Sequence, residues 1–295
     1  MRIVERTDID VEKWDRLVLE SNTSFFSLSW YLDATAENWS IVIDDDYTCG
    51  MALPYSVRMG IQTLYTPIFV RYMEWFGQKT KQMQAAFLIK EKFREIQFSV
   101  SEPVLGNGYE ERVFQRINEG VEHKLKSQAK RSLKTAIKND LKIFQSDKHN
   151  YISEVIHNEL KGKFGGLNQN SMQSLKELFN KASEEGSLLS FEVRREKFEG
   201  GIICLENDHQ LLYLKGAVSE AVKKQGGMYL ALNEAISYAQ SKGLDFDFGG
   251  SNIDGVRSFN HNLGGQDAVY YTYTMNKGPK WFRIAKRLKK KWIKK

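Results

Sequence analysis

Two short runs in the last third of the chain hold the residues best suited to chemistry. Tyr213 and Lys215 alternate within an apolar run over 211–218, and Asp245 and Asp247 alternate within a second over 244–248. Residues two apart on a strand share a face, so each pair would present both groups on one side. If the strands are neighbours, Lys215 and Asp247 can approach. The ammonium would then stabilise a developing oxyanion or an acidic ligand, and the carboxylate would accept a proton. The plainer alternative makes Asp247 a turn residue bonded to the backbone of 249–251 and leaves Lys215 solvated. Between the runs, Lys223-Lys-Gln-Gly-Gly-Met-Tyr229 opens a helical stretch. Unpaired N–H groups at a helix start hold phosphate well. Gln225, Gly226, Gly227, Met228 and Tyr229 would form that cradle, with charge from Lys223, or the segment is an ordinary glycine-rich turn. After the second run come Ser251 and Asn252 in a polar turn, then Arg257 and His261 one helical turn apart, all placed to meet a substrate. Phe259 and Leu263 read as core.

These residues need elements to position them. The pattern predicts a strand over 211–218, a helix over 228–241 stopped by Gly243, and a strand over 244–248. A helix over 256–263, stopped at Gly264-Gly265, and a strand over 268–275 follow. The first half reads as a worn copy of the second. Strands 39–43 and 49–57 flank Asp44-Asp45-Asp46-Tyr47, as 189–193 and 200–205 flank the turn 194–199. Strand 60–65 matches 210–218, helices 29–37 and 79–93 match 171–185 and 228–241, and strand 94–101 matches 244–248. Helix 79–93 is entered through Gly77 alone, so ligand chemistry is expected in the second half. The expected fold class is α/β in the α+β sense, with two tandem domains, each a mixed, mainly antiparallel sheet flanked by helices. Their bounds are 1–101 and 146–276, joined by a strand and a basic helix in 102–145 and followed by a tail, 277–295.

Charge is unevenly placed. The net charge is +6, but 277–295 carry eight lysines, two arginines and no acid, which leaves the other residues at −4. Trp281, Ile284, Ala285, Leu288 and Trp292 fall on one face of that tail. It would either lie on an anionic membrane surface or pack on its own domain. Within 122–140, predicted helical, Leu125, Ala129, Leu133 and Ile137 make an apolar seam. Lys126, Lys130, Lys134 and Lys138 run beside it, a solvated face or a contact for phosphate-rich partners such as RNA. With 41% hydrophobic and 27% charged residues the chain reads as soluble and globular. It opens without an apolar run, so a cytoplasmic location is expected, with peripheral membrane contact through the tail. Cys49 and Cys204 lie in separate apolar runs without metal-ligand spacing, which predicts free thiols and no metal site.

The order of these features resembles the acyl-CoA N-acyltransferases of the GNAT superfamily, and their doubling resembles the Fem-type, FemABX-like branch. Tyr213-Leu-Lys-Gly-Ala217, Gly226-Gly227 before a helix, and Asp247-Phe-Gly-Gly-Ser251 followed by Phe259 and Gly264-Gly265 carry the likeness. Thr23-Ser-Phe-Phe-Ser-Leu-Ser-Trp30 and the basic stretch 127–143 add to it. The likeness spans about 20–276. It implies acyl transfer to an amine, with acetyl-CoA or another acyl-CoA bound at Gly226-Gly227, although the phosphate loop matches only loosely. Asn260 stands where GNAT enzymes often place a tyrosine. The leading expectation is a GNAT N-acyltransferase acting on a small or cell-envelope acceptor. The alternatives are a Fem-type transferase using aminoacyl-tRNA to build peptidoglycan bridges, with tRNA not the favoured partner, and a non-catalytic membrane-peripheral binding module. The long coiled-coil arm of many Fem-type members has no room here.

Overall fold

The computed structural model describes residues 1–21, 24–146, 149–160, 169–249 and 253–282. It has a mixed α/β fold divided into two compact units, Met1–Arg112 with Tyr270–Lys295, and Val113–Val269.

In the first unit, strands β1 (Arg2–Glu5), β2 (Asn38–Ile43), β3 (Gly50–Arg58), β4 (Ile61–Tyr65) and β6 (Glu95–Val100) lie in that order. A short β5 (Trp75–Phe76) pairs with β3. All neighbours are antiparallel except β4 and β6. The outermost strand beyond β6 is the end of the chain's last strand, with Tyr271 opposite Val100 and Asn276 opposite Glu95. Helices α1 (Val11–Glu20), α2 (Ser29–Thr35) and α3 (Gln82–Lys92) complete this unit. The largest fully buried side chains here are Trp14, Tyr31, Phe25, Phe76, Phe93 and Phe98.

The second unit repeats the plan. Strands β8 (Lys142–Ser146), β9 (Leu188–Arg194), β10 (Phe198–Glu206) and β11 (Gln210–Val218) are antiparallel neighbours in turn. Strand β12 (Asp245–Asp247) runs parallel to β11. Beyond β12, antiparallel to it, lies the end of β7 (Tyr109–Ile117), with Phe246 opposite Ile117. Thus β7 follows β6 in sequence but pairs with β12, while β13 (Gln266–Asn276) follows β12 and pairs with β6. Each unit takes its last strand from the other's stretch of chain. The compact units differ from the expected bounds 1–101 and 146–276, which leave β7 in the connecting stretch 102–145 and keep β13 with β12.

Helices α4 (Ser127–Lys138), α5 (His149–Leu160), α6 (Gln169–Glu184), α7 (Glu220–Lys224), α8 (Gly227–Lys242) and α9 (Asp254–Asn262) belong to the second unit. Its core gathers Phe191, Val193, Ile202, Cys204, Leu211 and Phe246 from the strands and Ala231, Leu232, Ala235 and Ile236 from α8. Helix α8 is apolar on more than one face because α4 packs on it as well as the sheet. Small residues Ala129 and Ala136 let α4 come close. The expected seam ended at Ile137, but Ile137 is 65% exposed and Ala136 is buried instead. Steps of four residues drift by about 40° each on a 3.6-residue helix, so a run of them leaves the buried face. Lys126, Lys130, Arg131, Lys134 and Lys138 are all exposed. Both cysteines are buried free thiols.

Candidate functional site in the second unit

Parallel pairing of β11 with β12 runs from Gln210 opposite Asp245 to Leu212 opposite Asp247. Lys215 stands three residues further along β11, about 10 Å at the rise of a strand. The expected approach of Lys215 and Asp247 therefore does not form. Asp247 is buried, and its Oδ1 accepts the Gly249 N–H at 2.8 Å, as the turn-residue alternative required. Gly249, at φ 73°, lies directly against the Tyr213 carbonyl, where any Cβ would collide. Strand β11 then continues as Tyr213–Val218 past the end of β12.

A bulge reverses a second expectation. Ile203 pairs with Lys215 but Cys204 pairs with Tyr213, so Leu214 is an extra residue in β11. Neighbours on β10 point to opposite faces, and their partners follow them. Tyr213 joins Cys204 on the face packed by α8, where burial pushes its phenol pKa upward. Lys215 turns to the face of Ile203, half-buried, and burial depresses its pKa. The two do not share a side. On Lys215's face Ile152 of α5 sits over Gly201, leaving no room there for a side chain. Lys215 is thus a cation held in a poorly solvated place, ready to meet negative charge.

The glycine pair is used by the chain itself. Gly226, at φ 87°, presses on the Ser132 backbone of α4, and a Cβ at Gly227 would strike Val222 of α7. Both glycines are buried. The Tyr229 ring packs on Phe259 with centroids 4.4 Å apart. Burial raises the Tyr229 pKa, opposed by a bond with Asn262. Exposed Lys223 pairs with Glu220 at 3.5 Å. Gln225 keeps a buried Oε1 without a hydrogen-bond partner among the described residues. No side chain caps α8, so its first-turn N–H groups, Met228 among them, remain its polar resource. The close packing explains the glycines better than an open phosphate cradle does.

Arg257 and His261 meet at a residue the sequence reading missed. Arg257 forms a two-pronged ion pair with Asp267, its Nε 3.2 Å from Oδ1. His261 Nε2 lies 2.9 Å from Asp267 Oδ1, and Gln115 Nε2 donates to that oxygen at 2.9 Å. Asn260 Nδ2 in turn donates to Gln115 Oε1 at 2.9 Å. The Arg257 bond leads in holding Asp267 well below the usual carboxylate range, with burial opposing and Gln115 and His261 assisting. Phe259 faces α8, and residues two away on a helix lie about 160° round from it. Arg257 and His261 therefore point away from the α8 start, and the structure does not gather them with Gly226-Gly227. Asn260 is buried within this network rather than poised as a proton donor. Ser251 and Asn252 lie outside the described residues. The signal for Asp267 was its place as the lone acid between Gly265 and the run 268–276, within reach of both cations.

No family model matches the sequence and no curated protein matches it, so likeness rests on structure. The crystal structure of FemX aligns over 94% of this chain and 98% of its own, with a TM-score of 0.64 at 12% identity. The chain shares the fold of FemX. The C-terminal domain of a lysylphosphatidylglycerol synthetase from Agrobacterium fabrum covers 91% of this chain and 92% of its own, with a TM-score of 0.60 at 11% identity. L-PGS from Bacillus licheniformis covers 94% and 95%, with a TM-score of 0.57 at 12% identity. The FemX-like fold expected from the sequence is the fold observed.

Proposed function

We propose that the chain is a GNAT-type transferase, two tandem domains of that fold with exchanged last strands, moving an aminoacyl group from tRNA to a cell-envelope acceptor. The observation that carries this reading is the shared fold with FemX, with the lysylphosphatidylglycerol synthetase domain and with L-PGS, over more than nine-tenths of each chain. The filled glycine pair supports it, because Gly226 and Gly227 contact Ser132 and Val222 where a coenzyme pyrophosphate would otherwise approach the backbone.

In such a transfer an acceptor nitrogen attacks the ester carbonyl, the new C–N bond forms, and the C–O bond to the tRNA 3′ oxygen breaks. The amine proton ends on that oxygen. Lys215, half-buried on the stretch of β11 that runs past β12, would stabilise the charge that develops on the carbonyl oxygen. The exposed lysines of α4 would meet tRNA phosphates. The tail over 277–295 would hold the enzyme on an anionic membrane surface, near lipid or cell-wall-precursor acceptors. Among the described residues no helix is long and apolar enough to cross a membrane. Trp281, at the start of the tail, is 51% exposed, while Phe282 is buried.

A second reading, transfer from an acyl-CoA to an amine, is favoured by one feature, the uncapped start of α8 beside Lys223 and Lys224. Parallel assays separate the two. The protein is mixed with an envelope-lipid and precursor extract, and given either tRNA charged with labelled amino acids or acetyl-CoA. Label leaving tRNA for the extract, with no thiol released from acetyl-CoA, is expected. Thiol release alone would replace the first reading with the second, and neither event would remove both.

A further inference from the structure

Helix α5 divides its residues sharply. Ile152 and Ile156 are fully buried, and Ile152 sits over Gly201 of β10. Asn150, Ser153, Glu154, His157 and Asn158 recur at helical spacing on the opposite side. Such a stripe is ordinarily a solvated face. Here α6 stands beside it and contributes Lys176, Phe179 and Asn180, and the two helices flank a half-open pocket of about 540 Å³. That volume lies within the range of small-molecule sites, about 300–1,000 Å³. It lies on the far side of α5 from the sheet, so it is separate from the face that carries Lys215.

The lining has a definite chemical character. Three carboxamides, a hydroxyl and an imidazole accompany one cation, Lys176, and one anion, Glu154. Neither charged group has an ion-pair partner among the described residues. His157 Nδ1 is buried without a hydrogen-bond partner among the described residues, which costs free energy unless a ligand supplies one. Phe179, the single apolar side chain of the lining, is buried to 2% exposure and offers no open ring face for a sugar to stack on. Opposite charges set among amide groups complement a molecule with a carboxylate, an ammonium and peptide groups.

We propose that the α5–α6 pocket is a binding site for a small zwitterionic peptide or amino acid. Lys176 receives the carboxylate and Glu154 the ammonium, the asparagines pair with the amide groups, and His157 Nδ1 completes its hydrogen bonding on the ligand. The site is argued without the transferase reading and stands or falls apart from it.

Calorimetric titration of the full chain with glycylglycine tests it. Saturable binding is expected, and capping either end should weaken it about tenfold or more, since a charge-assisted bond is lost each time. N-acetylglycylglycine removes the ammonium and glycylglycinamide the carboxylate. K176M should erase the difference between glycylglycine and its amide, and E154Q the difference from its acetylated form. H157F should weaken all three alike. These side chains lie at the protein surface or its margin, so melting temperatures of the variants should match the parent. The absence of saturable binding, tighter binding of N-acetylglucosamine than of glycylglycine, or affinities unmoved by the three substitutions would each overturn the proposal.

Discussion

The two units build one strand order from unrelated residues, and they differ most at the start of the helix that follows their fourth strand. In the first unit that region is closed by the chain itself. Strand β5 folds back onto Gly50 and Met51 of β3, and Gly77 is driven against the Thr48 carbonyl. Ahead of α3, Lys81 reaches buried Asp44 at 2.8 Å. Asp44 also accepts the Thr48 N–H at 2.8 Å, the Thr48 hydroxyl at 2.5 Å and the Cys49 N–H at 3.2 Å. In the second unit a short helix, α7, leads into an uncapped α8, and a half-buried lysine stands where β11 runs past β12. The first unit turns these polar groups on itself, whereas in the second Lys215 has no ion-pair partner among the described residues.

The sharpest way to break this contrast is G77A. Its positive φ and a collision with backbone, which cannot swing aside, should cost about 3 kcal/mol in chemical denaturation. An effect near zero would mean the first unit is not closed as described. D44A should come next, at about 2 kcal/mol, because it strands the Thr48 and Cys49 donors. Burial at Asp44 opposes ionisation, but bonds from Lys81, Thr48 and Cys49 prevail and hold its pKa well below normal. Its contribution is therefore complete above an ordinary carboxylate pKa of about 4 and is lost as pH falls toward the depressed value. Melts of the parent and D44N across that range should converge in acid and separate above it.

Gly227 sharpens the comparison from the other side. Were Gly227 part of an open phosphate cradle, a β-branched residue there would weaken donor binding and leave the fold intact, but Val222 stands in the way. The obstacle is a side chain and the backbone φ is not positive, so G227A should cost only about 1 kcal/mol. A larger loss would place Gly227 with Gly77 as a purely structural glycine. Smallest in stability is K215M. Burial disfavours the ammonium, so the variant should melt no lower than the parent while transfer activity falls tenfold or more. Parallel loss of activity and melting temperature would assign Lys215 a packing role instead.

Much of the architecture was legible because it is written locally. Alternating apolar residues and polar turns marked β2, β3, β9, β10 and β11 within a residue or two, and Gly243 and Gly264 stopped helices where expected. The strand exchange was hidden, since nothing near β7 or β13 says which parallel pair each will flank. Helix α5 was overlooked, and with it the α5–α6 pocket. The site was less legible than the fold. One extra residue at Leu214 sends Lys215 and Tyr213 to opposite faces, and bulges leave little trace in an apolar run. Asp267 went unseen because its partners Arg257, His261 and Gln115 come from α9 and β7, which only the fold brings together.

In the proposed function the second unit moves an aminoacyl group from tRNA with the help of Lys215. The most direct measurement is single-turnover transfer of labelled amino acid from charged tRNA to an envelope-lipid and precursor extract, comparing the parent with K215M. The parent should move label within one turnover, and K215M, folded and equally stable, should do so at least tenfold more slowly. Label that stays on tRNA in the presence of the parent, or that moves equally fast with K215M, would contradict the account.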